Sequence, residues 1–457
     1  MAIQLRSKIT DSFWFTPLVM GAAGLLLAQT MLFVDRWLMN QGMDLPLGGM
    51  GADGGRGILI AIAGSVLGVA ATSFSITTSV LATASSTYGP RLVRNFMADN
   101  RNQFVLGSFG ASFLYSLIVL RAVRDANDIG AAFVPGVAIN FAILFGILNV
   151  VLLIYFIHHI ADSIQISTLI SRVRDDLIRS IESLYSLEEK GNGKLNGGNH
   201  AMPTRDRFSE ALPDAEPYHI RTQMDGFVTW IDYQAMVRLA LQHDAIVKML
   251  VQPGDYVFRG MVIAHSWQRD GQEDRDWPLD GINTAQTRTP YQDIRYAVQQ
   301  PVDIAIRALS PGVNDPYTAI NAIRGLASGI TRLVVRENAD AVLFDDDLQP
   351  RLHTKTITIE HMLDSVFRTL RGYVIGSVDA TMAVIELAQQ VLETTDRDSY
   401  RNIIIRSIHS IDEAFMDSNA PAMDKQIIKN AAGQVTANHT VEQGDTPHQP
   451  AQVEKSE

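Results

Sequence analysis

The chain contains no cysteine in 457 residues, which excludes a disulfide framework and any zinc site built on thiolates. Charge is scarce as well. Charged residues make up 19% of the chain against 47% hydrophobic, too apolar for an ordinary soluble protein and too polar for one lying wholly in a bilayer. The net charge of −11 argues against a nucleic-acid partner, whose phosphates need a basic surface. Walker loops, H-E-x-x-H, G-x-S-x-G and a cysteine nucleophile are all missing, so no enzyme class is signalled and no cofactor is expected.

Charge is absent altogether from four long stretches before residue 162. Between Asp11 and Asp35 lie 23 uncharged residues, between Arg56 and Arg91 lie 34, between Arg101 and Arg121 lie 19, and between Asp128 and His158 lie 29. A helix needs about 20 residues, at 1.5 Å each, to cross a hydrocarbon core of roughly 30 Å. Spans are therefore predicted near 13–34, 57–80, 106–121 and 133–157. Apart from Arg121 at the very end of the third, no Asp, Glu, Lys or Arg falls inside them, which weighs against a proton-coupled transporter. The first lacks the short apolar core and cleavage site of a signal peptide and is read as retained. Lys and Arg flank the spans with a modest bias (Arg6, Lys8, Arg91, Arg94, Arg101, Arg172, Arg174 and Arg179 against Arg36, Arg56, Arg121 and Arg124). That bias places both termini in the cytoplasm. The outward loop holds GMGADG, a literal G-x-G-x-x-G, but no strand precedes it and a turn is expected.

The second span carries most information. Its 34 uncharged residues exceed the bilayer, so its C-terminal end must emerge. Gly64 and Gly68 form a G-x-x-x-G pair that admits a neighbouring helix, and Ser108, Ser112 and Ser116 repeat small-residue spacing on the third span. Thr72, Ser75, Ser79, Thr83 and Ser86 make a hydroxyl stripe. Such a stripe either lines water in a pore or bonds back to its own helix carbonyls in a packed bundle. At the end of the fourth span His158, His159 and Asp162 cluster. A third firm ligand is missing, so these residues are expected to meet headgroups and water rather than metal.

Ile164 to Leu187 continues as an amphipathic helix, and Lys190 to Asp206 reads as a flexible linker. From Tyr218 to Trp267 the pattern shifts to short β-like runs, with a turn at Gln252-Pro253-Gly254-Asp255. These runs resemble half of a barrel-sandwich fold of the biotinyl-lipoyl kind. No Met-Lys hairpin tip is present, so the resemblance implies shape without a prosthetic group, and an unrelated small β-unit fits equally. Beyond it, 316–337, 357–394 and 398–416 have helical periodicity, with Gly372 and Gly376 marking a close crossing or a break. From Ala431 large apolar residues nearly vanish, and a disordered tail is expected.

The densest local constraint lies between Tyr291 and Ile320. Ile294, Val298, Val302, Ala305 and Leu309 recur at helical spacing, while Arg295, Gln299, Asp303 and Arg307 line another face at steps of four. Asp303 and Arg307 stand in the favourable order for a helix ion pair. Ser310-Pro311-Gly312 forces a turn in which Gly312 is expected at positive φ. Asp315 is placed to cap the amides of Tyr317 and Thr318, with Pro316 at the first helical position. The helix start beside Arg295, Asp303 and Arg307 is read either as a structural corner or as a place to hold an anion.

The run DIAIRALSPGVNDPYTA, from Asp303 to Ala319, resembles the signature of a bacterial family of predicted membrane proteins, the domain-of-unknown-function 2254 family. The likeness extends from the first apolar segment to about residue 420. It implies a multi-span anchor with a soluble C-terminal part and names no substrate. Pro301 departs from the family pattern. It removes the backbone bond to Ala297, and a kink there would separate Arg295 from Asp303.

The expected fold is a mainly α membrane protein, four transmembrane helices followed by a cytoplasmic α+β region. Its parts are a membrane domain (1–162), an amphipathic helix and linker (163–215), a small β-rich unit (216–270), a helical domain with the corner (285–425) and a tail (431–457). The candidate corner comprises Arg295, Asp303, Arg307, Ser310, Gly312, Asn314, Asp315 and Thr318. The candidate pore or packing face comprises Gly64, Gly68, Thr72, Ser75, Ser79 and Thr83. Lipid bilayer and a second copy of the chain are the expected partners. The leading functional expectation is an oligomeric channel-like or transport-associated protein, and the alternative is a membrane-tethered sensor or scaffold binding a small anionic ligand or a protein.

Overall fold

The computed structural model describes residues 14–41, 51–88, 100–125, 133–163, 165–195, 208–209, 211–268, 277–336, 338 and 342–440. They form two compact units, 1–168 and 169–457. Between them lie twelve named helices and eight strands among the described residues.

In the first unit each expected span is a helix: α1 (Phe15–Asn40), α2 (Ala52–Tyr88), α3 (Asn100–Ala122) and α4 (Gly136–Ser163). All four are long and apolar enough to cross a membrane. With 37 residues, α2 runs about 55 Å, nearly twice the hydrocarbon thickness.

Close helix packing falls on α1 and α3 rather than on Gly64 and Gly68. A Cβ on Gly24 would stand 2.7 Å from the Ala111 carbonyl oxygen, and one on Gly107 would stand 3.1 Å from the Pro17 Cα. Small residues on both helices let the two backbones approach. Gly64 and Gly68 instead have nothing within 4 Å of an added Cβ among the described residues.

Charge does enter the bundle. Helix α1 continues past residue 34 and buries Asp35 at 8% exposure. Its carboxylate accepts the Val137 and Ala138 amides, both at 2.9 Å, at the start of α4. A helix leaves its first amides without internal partners, and here a neighbouring helix supplies the acceptor. Tyr115 Oη donates to the Ala138 carbonyl at 3.0 Å in the same place.

The second unit begins within α5 (Ile166–Leu195). The β region is larger than the 216–270 stretch predicts. A five-stranded sheet takes β1 (Tyr218–Arg221), β3 (Ala245–Met249), β5 (Val262–Gln268), β7 (Val342–Phe344) and β8 (Pro350–His353), in the order β1-β5-β3-β8-β7. A three-stranded sheet takes β2 (Gly226–Ile231), β4 (Tyr256–Val257) and β6 (Ile282–Ala285), in the order β4-β2-β6. Helix α6 (Tyr233–Gln242) interrupts the β-like runs, capped by Asp232 accepting from the Ala235 amide. Strand β8 pairs parallel with β3, a long-range partnership that periodicity could not foresee. Along β3, Ala245, Val247 and Met249 are buried while Ile246 and Lys248 are half-buried, so one face of the sheet closes on a core with Ile220, Ala264 and Leu352.

The helices are α7 (Ile294–Ala308), α8 (Pro316–Val334), α9 (Ile359–Val374), α10 (Val378–Thr394), α11 (Asp398–Met416) and α12 (Ala422–Thr440). The stretch 357–394 breaks at Gly376, where Ser377 caps α10 through the Ala380 amide. Helix α12 extends ten residues into the stretch expected to be disordered. Ile428, Ala432 and Val435 are buried, and three apolar side chains at helical spacing suffice to dock a polar helix. Residues 441–457 of that stretch, and 196–206 of the expected linker, lie outside the described residues.

Candidate functional site

The turn between β3 and β4 is the anchor of the site. Gly254 sits at φ +90°, a conformation that residues with a Cβ resist. Its amide donates to the Val228 carbonyl at 2.7 Å. The turn presents Asp255, whose Oδ1 receives Arg295 Nη2 at 2.7 Å and whose Oδ2 receives Lys355 Nζ at 2.9 Å. Burial pushes this carboxyl's pKa up. The hydrogen bonds from Arg295 and Lys355, the Arg295 charge and the Gln252 amide outweigh it and hold the group below the usual carboxylate range.

Asp293 caps α7 by accepting the Tyr296 amide at 3.0 Å. Its carboxylate also takes a two-pronged grip from Arg288, Nε at 2.7 Å and Nη2 at 2.9 Å, the geometry that fixes both planes. Arg288 Nη1 reaches Gln299 Oε1 at 3.3 Å, and the guanidinium lies 5.0 Å from the Tyr296 ring centroid. Arg295 thus ties the start of α7 to the β-turn, and Arg288 braces the same helix start through Asp293.

Above this base, α7 and α9 flank a cleft of about 350 Å³. Arg295, Gln299 and Asp303 line it from α7, and His361, Ser365 and Thr369 line it from α9. Each trio steps by four, so each is one stripe along a helix face. Val298, Val302, Met362 and Val366 also line it. Pro301 does not interrupt α7, and Arg295 and Asp303 share one face. The lining offers guanidinium and amide donors, hydroxyls that both donate and accept, an imidazole and a carboxylate. These suit recognition of a small polar molecule.

The rest of the predicted corner is adjacent scaffold. Arg307 is half-buried and not part of the lining. Ser310 Oγ donates to the Arg307 carbonyl at 2.6 Å, and the Asp315 amide donates to the Ala308 carbonyl at 2.8 Å, closing the turn. Asp315 caps α8, accepting the Thr318 amide at 3.1 Å and its hydroxyl at 2.6 Å. The Thr318 hydroxyl, then its amide, hold the Asp315 carboxyl low. Gly312 is not at positive φ. The strained residue is Asn314, at φ +48°, because the chain completes its turn two residues later, and Asn tolerates the left-handed region.

In the first unit, Thr72 Oγ1 donates to the Gly68 carbonyl at 2.9 Å, and Ser108, Ser112 and Ser116 likewise bond to carbonyls four residues back. Thr72, Ser75 and Ser79 are exposed, and the Thr83 and Ser86 side chains lie outside the described residues. His158 Nε2 stands 3.3 Å from Asp162. His159 stacks on Tyr155 instead, ring centroids 5.8 Å apart.

Sequence reasoning found the α7 stripe and missed what faces it: Arg288, Asp293, His361, Ser365, Thr369 and Lys355. The spacing of His361, Ser365 and Thr369 was available as a signal, since three polar residues at steps of four mark a helix face.

No solved structure matches this chain. Uncharacterised proteins of Mycobacterium bovis and Mycobacterium tuberculosis are 33% identical to it over 298 residues. The aligned stretch covers 64% of this chain and 54% of each relative, so the chain spans about half the length of the curated relatives it matches. A family model described as a predicted membrane protein of unknown function matches residues 10–390. With four membrane-length helices ahead of this unit and a family match over most of its length, the chain belongs to the domain-of-unknown-function 2254 family of predicted membrane proteins.

Proposed function

We propose that this is a membrane-anchored, ligand-responsive protein whose C-terminal unit binds a small polar anion in the cleft between α7 and α9. The observation that carries the reading is the pair of facing stripes, Arg295, Gln299 and Asp303 against His361, Ser365 and Thr369. Three cations (Arg288, Arg295 and Lys355) meet two carboxylates (Asp255 and Asp293) at the turn end of the cleft. That end therefore favours an anionic group, and the hydroxyls of α9 hold the remainder. The Lys and Arg distribution around the spans supports a bacterial inner-membrane location with both termini, and hence the cleft, in the cytoplasm. The test is thermal shift and calorimetry of the full chain in nanodiscs against inorganic phosphate and small carboxylic acids. One class should raise the melting temperature, and Ser365→Phe, which fills the cleft, should abolish that rise. Failure of every anion, or an undiminished rise in Ser365→Phe, rules the site out.

A second reading rests on a separate observation, the bare face of α2. A Cβ added at Gly64 or Gly68 meets none of the described residues, and Thr72, Ser75 and Ser79 lie exposed beyond them. This supports a homo-oligomer with α2 at the subunit interface, the arrangement a channel-like or transport-associated protein needs. The Thr72 hydroxyl bonds back to its own helix, which satisfies it without water and favours packing over conduction. Ion flux into liposomes above that of empty vesicles would favour conduction.

A further inference from the structure

The outer face of the five-stranded sheet carries one row of basic side chains across four strands. His219 of β1 is opposite His265 of β5, His265 is opposite Lys248 of β3, and Lys248 is opposite His353 of β8. Residues directly opposite on paired strands point to the same face, with neighbours roughly 4.5–5.5 Å apart at Cβ. The imidazoles of His219 and His265 lie with ring centroids 4.7 Å apart. Like charges at such positions are destabilising.

The first strand of the row is also the most easily released. Among the described residues β1 is a four-residue edge strand that pairs with β5 alone. The segment entering it is held to the same face, since Trp267 Nε1 donates to the Ala215 carbonyl at 3.0 Å and the Trp267 ring stands edge-on to His265. We propose that the His219–His265 pair is an acid-sensitive clasp, closed while both imidazoles are neutral, which releases β1 and the segment entering it when they take up protons.

The surrounding charges favour release. On β1, Arg221 donates to the Gly260 carbonyl at 2.7 Å. On β8, Arg351 is bound to Asp345 and Asp244, so those carboxylates are already engaged by a cation. Phe208 covers His353 at 4.9 Å between ring centroids. Asp214 and Glu216 of the incoming segment are exposed, where water screens them. Burial, then His219, then Lys248, push the His265 pKa below its ordinary 6.5. Folded His265 therefore holds its proton less readily than released His265 does. The clasp is intact above the ordinary value and weakens as pH falls from there towards the lower folded value. The clasp is independent of the α7–α9 cleft and stands or falls without it.

The test is amide hydrogen exchange of the full chain in nanodiscs at pH 7.5 and 5.5, with rates normalised to intrinsic exchange and β3 as internal reference. Protection of 218–221 should fall roughly two- to fivefold at pH 5.5, while 245–249 stay unchanged. His219→Gln removes one charge from an exposed position and should cut most of that loss. Lys248→Met, which lifts the repulsion on His265 from the other side, should shrink it too. Equal protection of 218–221 at both pH values overturns the proposal, as does an acid-induced loss of the same size in the parent and both variants.

Discussion

At the scale of single residues, two glycines that look alike in sequence behave oppositely. Gly254 is at φ +90°, and a Cβ there would be driven into the Asp293 carboxylate. Gly254→Ala should lower stability by at least the roughly 1–2 kcal/mol that a left-handed conformation costs, read as a fall in melting temperature. Gly312 has open space around it and an ordinary φ. Gly312→Ala should therefore be neutral or stabilising by about 0.4–1 kcal/mol, through loss of unfolded-chain freedom. Reversal of that order would refute the assignment of strain to the β-turn. Asp255 gives a pH signature. Its folded pKa is below the ordinary 3.8, so its stabilisation is complete above that value and is lost as pH falls through the lower one. Melting curves of the parent should drop across that acidic window more steeply than those of Asp255→Asn.

At the scale of elements, the helices of the C-terminal unit are locked by small residues that periodicity does not flag. On α8, Gly325 faces Ile170 at 3.3 Å for an added Cβ, and Gly329 is pressed against Leu177, with Ile181 3.6 Å away. These two glycines, four apart, let α5 lie close to α8, and Arg332 pairs with Glu182 at 2.8 Å along the same seam. Gly329→Leu should cost on the order of 1–3 kcal/mol by overpacking. Arg332→Ala, which loses an exposed pair, should cost under about 1 kcal/mol. Chemical denaturation of both variants decides whether the seam is held by packing or by charge.

At the scale of the molecule, the same distinction separates α1 from α2. The glycines of α1 are spent inside the chain, against Ala111 and Leu114 of α3, as is Gly55 of α2 against Ile139, whereas Gly64 and Gly68 of α2 meet none of the described residues. Replacing both Gly64 and Gly68 by Leu should leave the fold of one chain intact, because none of its described residues comes within 4 Å of an added Cβ there, and should reduce the mass of the assembly in detergent or nanodiscs. An unchanged mass would remove α2 from the interface.

The membrane half was legible in the sequence because its signal is one-dimensional. Crossing a bilayer takes a length of uncharged chain, and four such lengths are written out in order. The Asp315 cap, the break near Gly376 and the α7 stripe were legible for the same reason, since each depends on neighbours within a turn or two. What the sequence could not reveal depends on partners far along the chain. Strand β8 joins β3 across a hundred residues, Arg295 closes on Asp255 forty residues before it, and the stripe on α7 becomes a cleft only because α9 folds opposite. Asp35 likewise reads as the end of a span until α4 supplies the amides that bury it. Local periodicity settled which face of each helix is polar. Only tertiary packing decided which polar face meets another across a cavity, because that choice follows from the burial of the apolar faces on their far sides.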